Sequence, residues 1–168
     1  FACRNNHYNE IELLLAKGAD TEARTNDGGT PLYLSSLYGH CECITLLLDH
    51  GANIEEVQDN CGFTSICAAV TNNHGNAVEL LIARGANWNT PTNTPPSCQF
   101  ETPLQLAEKD GLPEIIKILE AANKRKKKKE YNLRKKRQVK TGGKGENVKD
   151  AESNGEDSQV NQLQRWHH

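Results

Sequence analysis

The chain has 168 residues, a formal net charge of −2, an apolar fraction of 36% and a mean hydropathy of −0.73. That length holds one ordinary domain and a tail, and the low apolar fraction points to a part that does not fold. No run approaches the roughly 18 apolar residues of a membrane span, and the opening Phe1-Ala2-Cys3-Arg4 lacks the basic and apolar regions of a signal peptide. Methionine is absent even at position 1, so the chain is expected to be a processed product or a fragment.

The small net charge conceals a polarity. Residues 1–123 hold 6 Lys and Arg against 16 Asp and Glu, net −10; residues 124–140 hold 11 against 1, net +10; residues 141–168 hold 3 against 5. These are two electrostatic objects on one chain. The cysteines, at 3, 41, 43, 61, 67 and 98, have irregular spacing and no C-x-x-C. They match neither a secreted disulfide framework nor a zinc site and read as small apolar core residues. A reducing, intracellular setting, cytoplasmic or nuclear, is the expectation.

In chain order, three glycine segments repeat: A-K-G-A-D at 16–20, D-H-G-A-N at 49–53 and A-R-G-A-N at 83–87. Gly18, Gly51 and Gly85 are spaced by 33 and 34 residues. The same interval recurs in the apolar triplets before them, Leu13-Leu14-Leu15, Leu46-Leu47-Leu48 and Leu80-Leu81-Ile82, expected in the core. It recurs again, with one long gap, in the threonines Thr30, Thr64 and Thr102. Thr30 is a good helix N-cap, and Pro31 suits the first helical position, where its missing N–H would be unpaired anyway; Thr102-Pro103 repeats this. Ser35, aligned with Ala2, Ala69 and Ala107, gives a first helix a small side where neighbours approach closely. Gly39 ends that helix in a left-handed conformation. A second helix is expected from Glu42 to His50, with Ile44, Leu47 and Leu48 at helical spacing. Helices of about two turns are marginal alone. Each unit must therefore bury its apolar face on the next, in a stacked solenoid.

The stretch T-P-L-Y-L-S-S-L-Y-G-H-C-E-C-I-T-L-L-L-D-H-G-A-N resembles the ankyrin repeat, with its T-P-L-H-x-A signature and 33-residue period. The resemblance covers residues 1–123 and implies an all-α ankyrin-repeat solenoid of helix–turn–helix units joined by β-hairpin-like turns, followed by a disordered tail. The units run 1–24, cut inside its first helix, then 25–58, 59–96 and 97–123, the last a cap with Glu120 on its outer face. More repeats are expected before Phe1. The family's histidine after T-P-L is replaced by Tyr33, Cys67 and Gln105, which suggests lower stability. Ser65 replaces a proline, and Asn73 replaces the glycine after a first helix, where asparagine tolerates the left-handed region. The Pro/Thr/Asn-rich stretch 87–101 is too long for an ordinary turn and reads as an inserted loop. The resemblance also implies that His40 and His74 are structural.

Function follows from the same reading. The resemblance implies a non-catalytic interaction module that binds a folded protein on the concave face formed by turn tips and first helices. The matching positions are Asn26, Asp27, Gly29, Leu37 and Tyr38; Asn60, Cys61, Phe63, Thr71 and Asn72; and Glu101, Lys109 and Asp110. Leu37, Tyr38 and Phe63 are the expected anchors, since apolar and aromatic groups dominate interface energy; packing between repeats is their competing role. No catalytic, cofactor-binding or metal-binding residue is nominated. Gly142-Gly143-Lys144-Gly145 has phosphate-loop letters but no strand or helix to frame them. Cys41 and Cys43 are two apart on a helix and face different ways. Trp166-His167-His168 reads as a frayed terminus.

Two basic clusters close the chain: Lys124, Arg125, Lys126, Lys127, Lys128 and Lys129, then Arg134, Lys135, Lys136 and Arg137. They resemble a bipartite nuclear localisation signal, whose extended lysines and arginines meet an acidic groove on an import receptor; an inert solvated charge run, and non-specific contact with nucleic-acid phosphates or anionic lipid, are the competing readings. Lys and Arg are good helix formers and favour extending the last helix by a turn into this segment, while repulsion among eleven charges opposes it. Reading of nucleic-acid bases is disfavoured, because Tyr131 is the one aromatic among the charges. Residues 141–168 are expected to be disordered. An alternative is a regulatory fragment of a larger protein, its acidic array masking the basic tail or its catalytic domain lying elsewhere.

Overall fold

The computed structural model describes residues 1–59, 62–89 and 101–140. Contacts divide the chain into residues 1–130 and 131–168. In the first unit a short 3₁₀ turn, Cys3–Asn5, precedes α1, Tyr8–Ala16. Then come α2, Pro31–Leu37; α3, Cys41–Asp49; α4, Ser65–Thr71; α5, Gly75–Ala83; and α6, Pro103–Lys109. The last helix is α7, Pro113–Lys140. Of the second unit, residues 131–140 are described, and they are helical. Among the described residues the only β element is an antiparallel bridge between Val57 and Thr64 at a turn. The expectations for Asn60, Cys61, Cys98, the inserted loop over 90–100 and the segment 141–168 lie outside the described residues.

First helices α2, α4 and α6 pack in series, and second helices α1, α3 and α5 form the other layer. Ser35, Ala69 and Ala107 are fully buried, so the small residues sit where first helices meet. Ile44, Leu47, Val78, Leu81, Ile115 and Leu119 form the core between layers. Each helix is short, and its stability comes from this burial.

The capping chemistry holds. The Thr30 hydroxyl accepts from the Tyr33 backbone N–H at 3.2 Å. Thr102 and Gln105 form a reciprocal capping box: Thr102 accepts from the Gln105 N–H at 3.3 Å, and the Gln105 side chain accepts from the Thr102 N–H at 2.8 Å. The Gln105 side chain, in place of the family's histidine, thereby satisfies one helix-end donor, and Thr102 satisfies a second. In unit three the Thr64 hydroxyl donates to the Cys67 sulfur at 3.3 Å. After the first helices, Gly39 takes φ +72° and Asn73 φ +58°, the left-handed conformation expected at both.

The structure departs from the sequence reading in two places. Leu13 and Leu14, assigned to the core, are 57% and 50% exposed. They lie on α1, at the positions that correspond to the buried Leu46 and Leu47 of α3. The second difference is α7. Charge repulsion was expected to stop it near Asn123, yet it continues to Lys140. The preceding residues 113–123 are anchored by Ile115, Leu119 and Ala122, and every position from 124 to 137 is exposed. Water and counterions screen charges on such a surface, and Lys and Arg are good helix formers.

The thiols behave as core groups. Cys3, Cys43 and Cys67 are buried, Cys41 is half-buried, and all four are free. Cys43 donates to the Asn6 side-chain oxygen at 3.2 Å. Burial, then the nearby Cys3 and Glu42, push its pKa from 9.0 up to about 11. The folded state thus keeps this proton after the unfolded chain has lost its own. Stability is undiminished below pH 9 and falls as pH rises between 9 and about 11. The expected slope is about 1.4 kcal/mol per pH unit. Urea melts at pH 8 and 10.5 should show a falling stability in the native chain and a shallower fall in Cys43→Ala, where the buried Cys3 and half-buried Cys41 thiols, also shifted upward, keep the remainder. Equal slopes in both would remove the assignment.

Candidate functional site

The turn tip that follows α1 and the exposed side of α2 create one open cleft of about 480 Å³. Of the nominated residues it brings together Asp27, Gly29, Leu37 and Tyr38, with Arg4, Tyr33 and Gln58 alongside. Tyr38 is 38% exposed. The Arg4 guanidinium lies 5.7 Å from its ring centroid, and the His40 ring stacks beside it at 6.0 Å. His40 Nε2 in turn lies 3.1 Å from the Arg4 carbonyl oxygen; a carbonyl only accepts, so Nε2 carries the proton. Tyr38 is therefore held in place before any partner arrives, and little side-chain entropy remains to be lost on binding.

The remaining nominated residues lie elsewhere. Asn26 is exposed at the same turn but does not line the cleft. Phe63 is half-buried against the core, which is the packing role weighed for it. The Thr71 hydroxyl donates to the Cys67 and Ala68 carbonyls, and Asn72 Nδ2 donates to the Ala68 carbonyl at 2.9 Å, so both serve their own helix. Lys109 pairs with Glu101 at 3.1 Å, and Asp110 caps the end of α6. The basic residues Lys124, Arg125, Lys126, Lys127, Lys128, Lys129, Arg134, Lys135, Lys136 and Arg137 are all exposed on α7.

Several side chains that tie one unit to the next were missed as a set. His74 Nε2 donates to the Leu37 carbonyl at 3.1 Å, repeating the His40–Arg4 bond one unit later. Glu22 accepts from the Asn53 backbone N–H, and Glu55 from the Asn87 N–H, each at 2.8 Å. These carboxylates read as solvated turn charges, but they fix the register of successive turns. Their signal was present: Glu22 and Glu55 are 33 apart, Asn53 and Asn87 34 apart. Arg24 gathers Glu56, Asp59 at 2.8 Å and the carbonyls of Gly28 and Val57 into one junction between turns. Nothing in its local sequence marks it.

Comparison with known proteins agrees with this geometry. Residues 1–58 match the family described as "Ankyrin repeats (3 copies)", and residues 42–82 match "Ankyrin repeats (many copies)". The chain is similar to the ankyrin repeat protein FPV031 of fowlpox virus, 32% identical over 94 residues, covering 55% of this chain and 28% of that protein. It is similar to the B-cell lymphoma 3 protein homolog of Mus musculus, 35% identical over 92 residues, 52% of this chain and 20% of the relative. It is also similar to the E3 ubiquitin-protein ligase XBAT33 of Arabidopsis thaliana, 32% identical over 83 residues, 49% of this chain and 16% of the relative. The chain thus spans less than a third of the length of each. Repeats of this kind are protein–protein interaction modules. The repeated region of this chain belongs to the ankyrin-repeat family.

Proposed function

We propose that residues 1–123 are a non-catalytic module that grips a folded protein partner, with the cleft at Leu37 and Tyr38 as its anchor. The observation that carries this reading is the pre-positioned Tyr38, a partly exposed aromatic held between Arg4 and His40 at the mouth of a 480 Å³ cleft. Aromatic anchors in desolvated pockets supply most interface energy, while rim charges add little. Asp27 and Arg4 give the cleft one charge of each sign, which favours a partner of matching polarity. Once a partner has been isolated, Tyr38→Ala should weaken its binding by about 2 kcal/mol or more, the scale of a hot-spot truncation. Asn72→Ala should change it by less than about 0.5 kcal/mol, as for a surface site away from such a feature. Calorimetric titration reads both. Equal, small effects would remove Tyr38 as the anchor. If this chain is part of a longer protein, a catalytic domain outside it would use the array as its targeting arm, as the ligase name of the Arabidopsis relative suggests.

The basic segment supports a second reading, a bipartite import signal, and with it a cytoplasmic and nuclear distribution. All ten of its cations are exposed and accessible to a receptor. Because an import groove takes an extended chain, binding requires α7 to unwind beyond its buried anchor at Ala122. A helix of mutually repelling lysines unwinds at small cost. Masking of this segment by the acidic array, in contrast, was framed for a flexible tail, and the segment is helical to Lys140. Residues 120–140 fused to a cytoplasmic reporter should carry it into the nucleus, and alanines at Lys126 to Lys129 should abolish this. A reporter that stays cytoplasmic in both forms removes the import reading.

A further inference from the structure

Trp88 follows α5 and is half-buried against the core. Its indole Nε1 donates to the Asn123 side-chain oxygen at 2.9 Å, which fixes the ring. Lys126 Nζ lies 5.4 Å from the ring centroid. Beside this ring opens a cleft of about 510 Å³ with Ile82 and Ala122 among its apolar walls and Arg125, Lys126 and Lys129 at its edge. Helical spacing explains the grouping: Lys129 is three residues from Lys126 and four from Arg125, so the three share one side of α7.

The charge balance is unusual for this body. Residues 1–123 carry net −10, yet among the described residues no Asp or Glu lines this cleft. The stretch 90–100, which continues from Trp88 in the sequence, contains no acidic residue either. Three cations thus crowd an apolar recess without a lining carboxylate, and an anionic partner would relieve their repulsion. The ring is a poor platform for a nucleic-acid base. Its face is taken by Lys126, its N–H is bonded to Asn123, and among the described residues no second aromatic lines the cleft. The apolar walls instead suit an aliphatic side chain, and the edge suits carboxylates on either side of it.

The geometry points to a docking site for an acidic peptide segment of a partner protein, with one apolar side chain seated beside Trp88 and its flanking carboxylates on Arg125, Lys126 and Lys129. This site is independent of the Tyr38 cleft; it shares Arg125, Lys126 and Lys129 with the import reading, which does not use Trp88 and needs α7 unwound.

The test uses the full chain carrying Trp166→Phe, which leaves Trp88 as the single tryptophan of the two. The probe is a synthetic peptide, Asp-Glu-Asp-Leu-Glu-Asp-Glu. Titration should change Trp88 emission saturably. Replacing the central leucine of the peptide by serine should weaken binding about fivefold, since it removes the apolar anchor. The variant Arg125→Gln, Lys126→Gln, Lys129→Gln should weaken it about tenfold or more with an unchanged helical spectrum, because all three side chains are exposed. Glutamines at Arg134, Lys135, Lys136 and Arg137 should weaken it less than about threefold, through long-range attraction alone. No saturable change, or a larger loss from the 134–137 variant than from the 125–129 variant, would overturn the site. Tighter binding of an oligothymidylate at the same Trp88 signal would overturn the peptide as its occupant.

Discussion

Replacement of Leu47 by alanine should lower the unfolding free energy of the chain by about 2–5 kcal/mol, the usual cost of a buried leucine cavity. Leu47 is 1% exposed, on α3 in the core between the two helix layers. Its removal takes away burial from units on both sides, and a solenoid's stability is the sum of such nearest-neighbour interfaces. Leu14 gives the internal comparison. It stands 33 residues earlier at the same position of the repeat but is 50% exposed. Leu14→Ala should therefore cost about 1 kcal/mol or less, since only part of its transfer energy is at stake. Thermal or urea melts of the two variants measure the difference. Equal losses would mean that the first unit is packed like the interior ones, against the exposure seen here.

Gly39→Ala should be, with Gly28→Ala, among the most damaging of the single-methyl additions. Gly39 has φ +72°, where an L side chain costs roughly 1–2 kcal/mol. A Cβ there would also lie 2.6 Å from His74 Nδ1. His74 would have to move, and its bond to the Leu37 carbonyl would be strained or lost, for about 0.5–1.5 kcal/mol more. The sum is about 1.5–3.5 kcal/mol. Gly51→Ala isolates the backbone contribution: φ is +86° and nothing lies within 4 Å of the added carbon, so it should cost only about 1–2 kcal/mol. A Gly39→Ala variant no less stable than Gly51→Ala would contradict the His74 tie between units.

What the sequence disclosed, it disclosed through periodicity. Thr30 and Thr102 as caps, Gly39 and Asn73 as left-handed turns, and Ser35, Ala69 and Ala107 as helix contacts all follow from one local rule applied at a repeat interval. The core positions in the interior units follow likewise, because Leu47 and Leu81 see the same neighbours. The rule failed at the ends. Leu13 and Leu14 obey the pattern but are exposed on α1. Helix α7 outruns its apolar pattern, because charge repulsion across an exposed surface is too weak to stop a run of helix formers.

The candidate sites were legible in part. Leu37 and Tyr38 could be placed from their position after the cap, but the clamp of Arg4 and His40 around Tyr38 joins residues 34 and 36 positions apart and has no local signature. Trp88 was hidden for the same reason. Its partners Asn123 and Lys126 lie 35 and 38 residues on, and α7 had been expected to end near Asn123.

The central claim, that a partner protein is gripped on the face of first helices and turn tips, is tested most directly by photocrosslinking from single positions. A photoreactive residue replaces Tyr38, Asp27 or, on the outer surface of α5, the exposed Glu79. Each full-length chain is irradiated with the isolated partner. The account predicts efficient crosslinks from positions 38 and 27 and background yield from position 79. Efficient crosslinking from Glu79 with background yield at Tyr38 and Asp27 would place the partner on the second helices and contradict it.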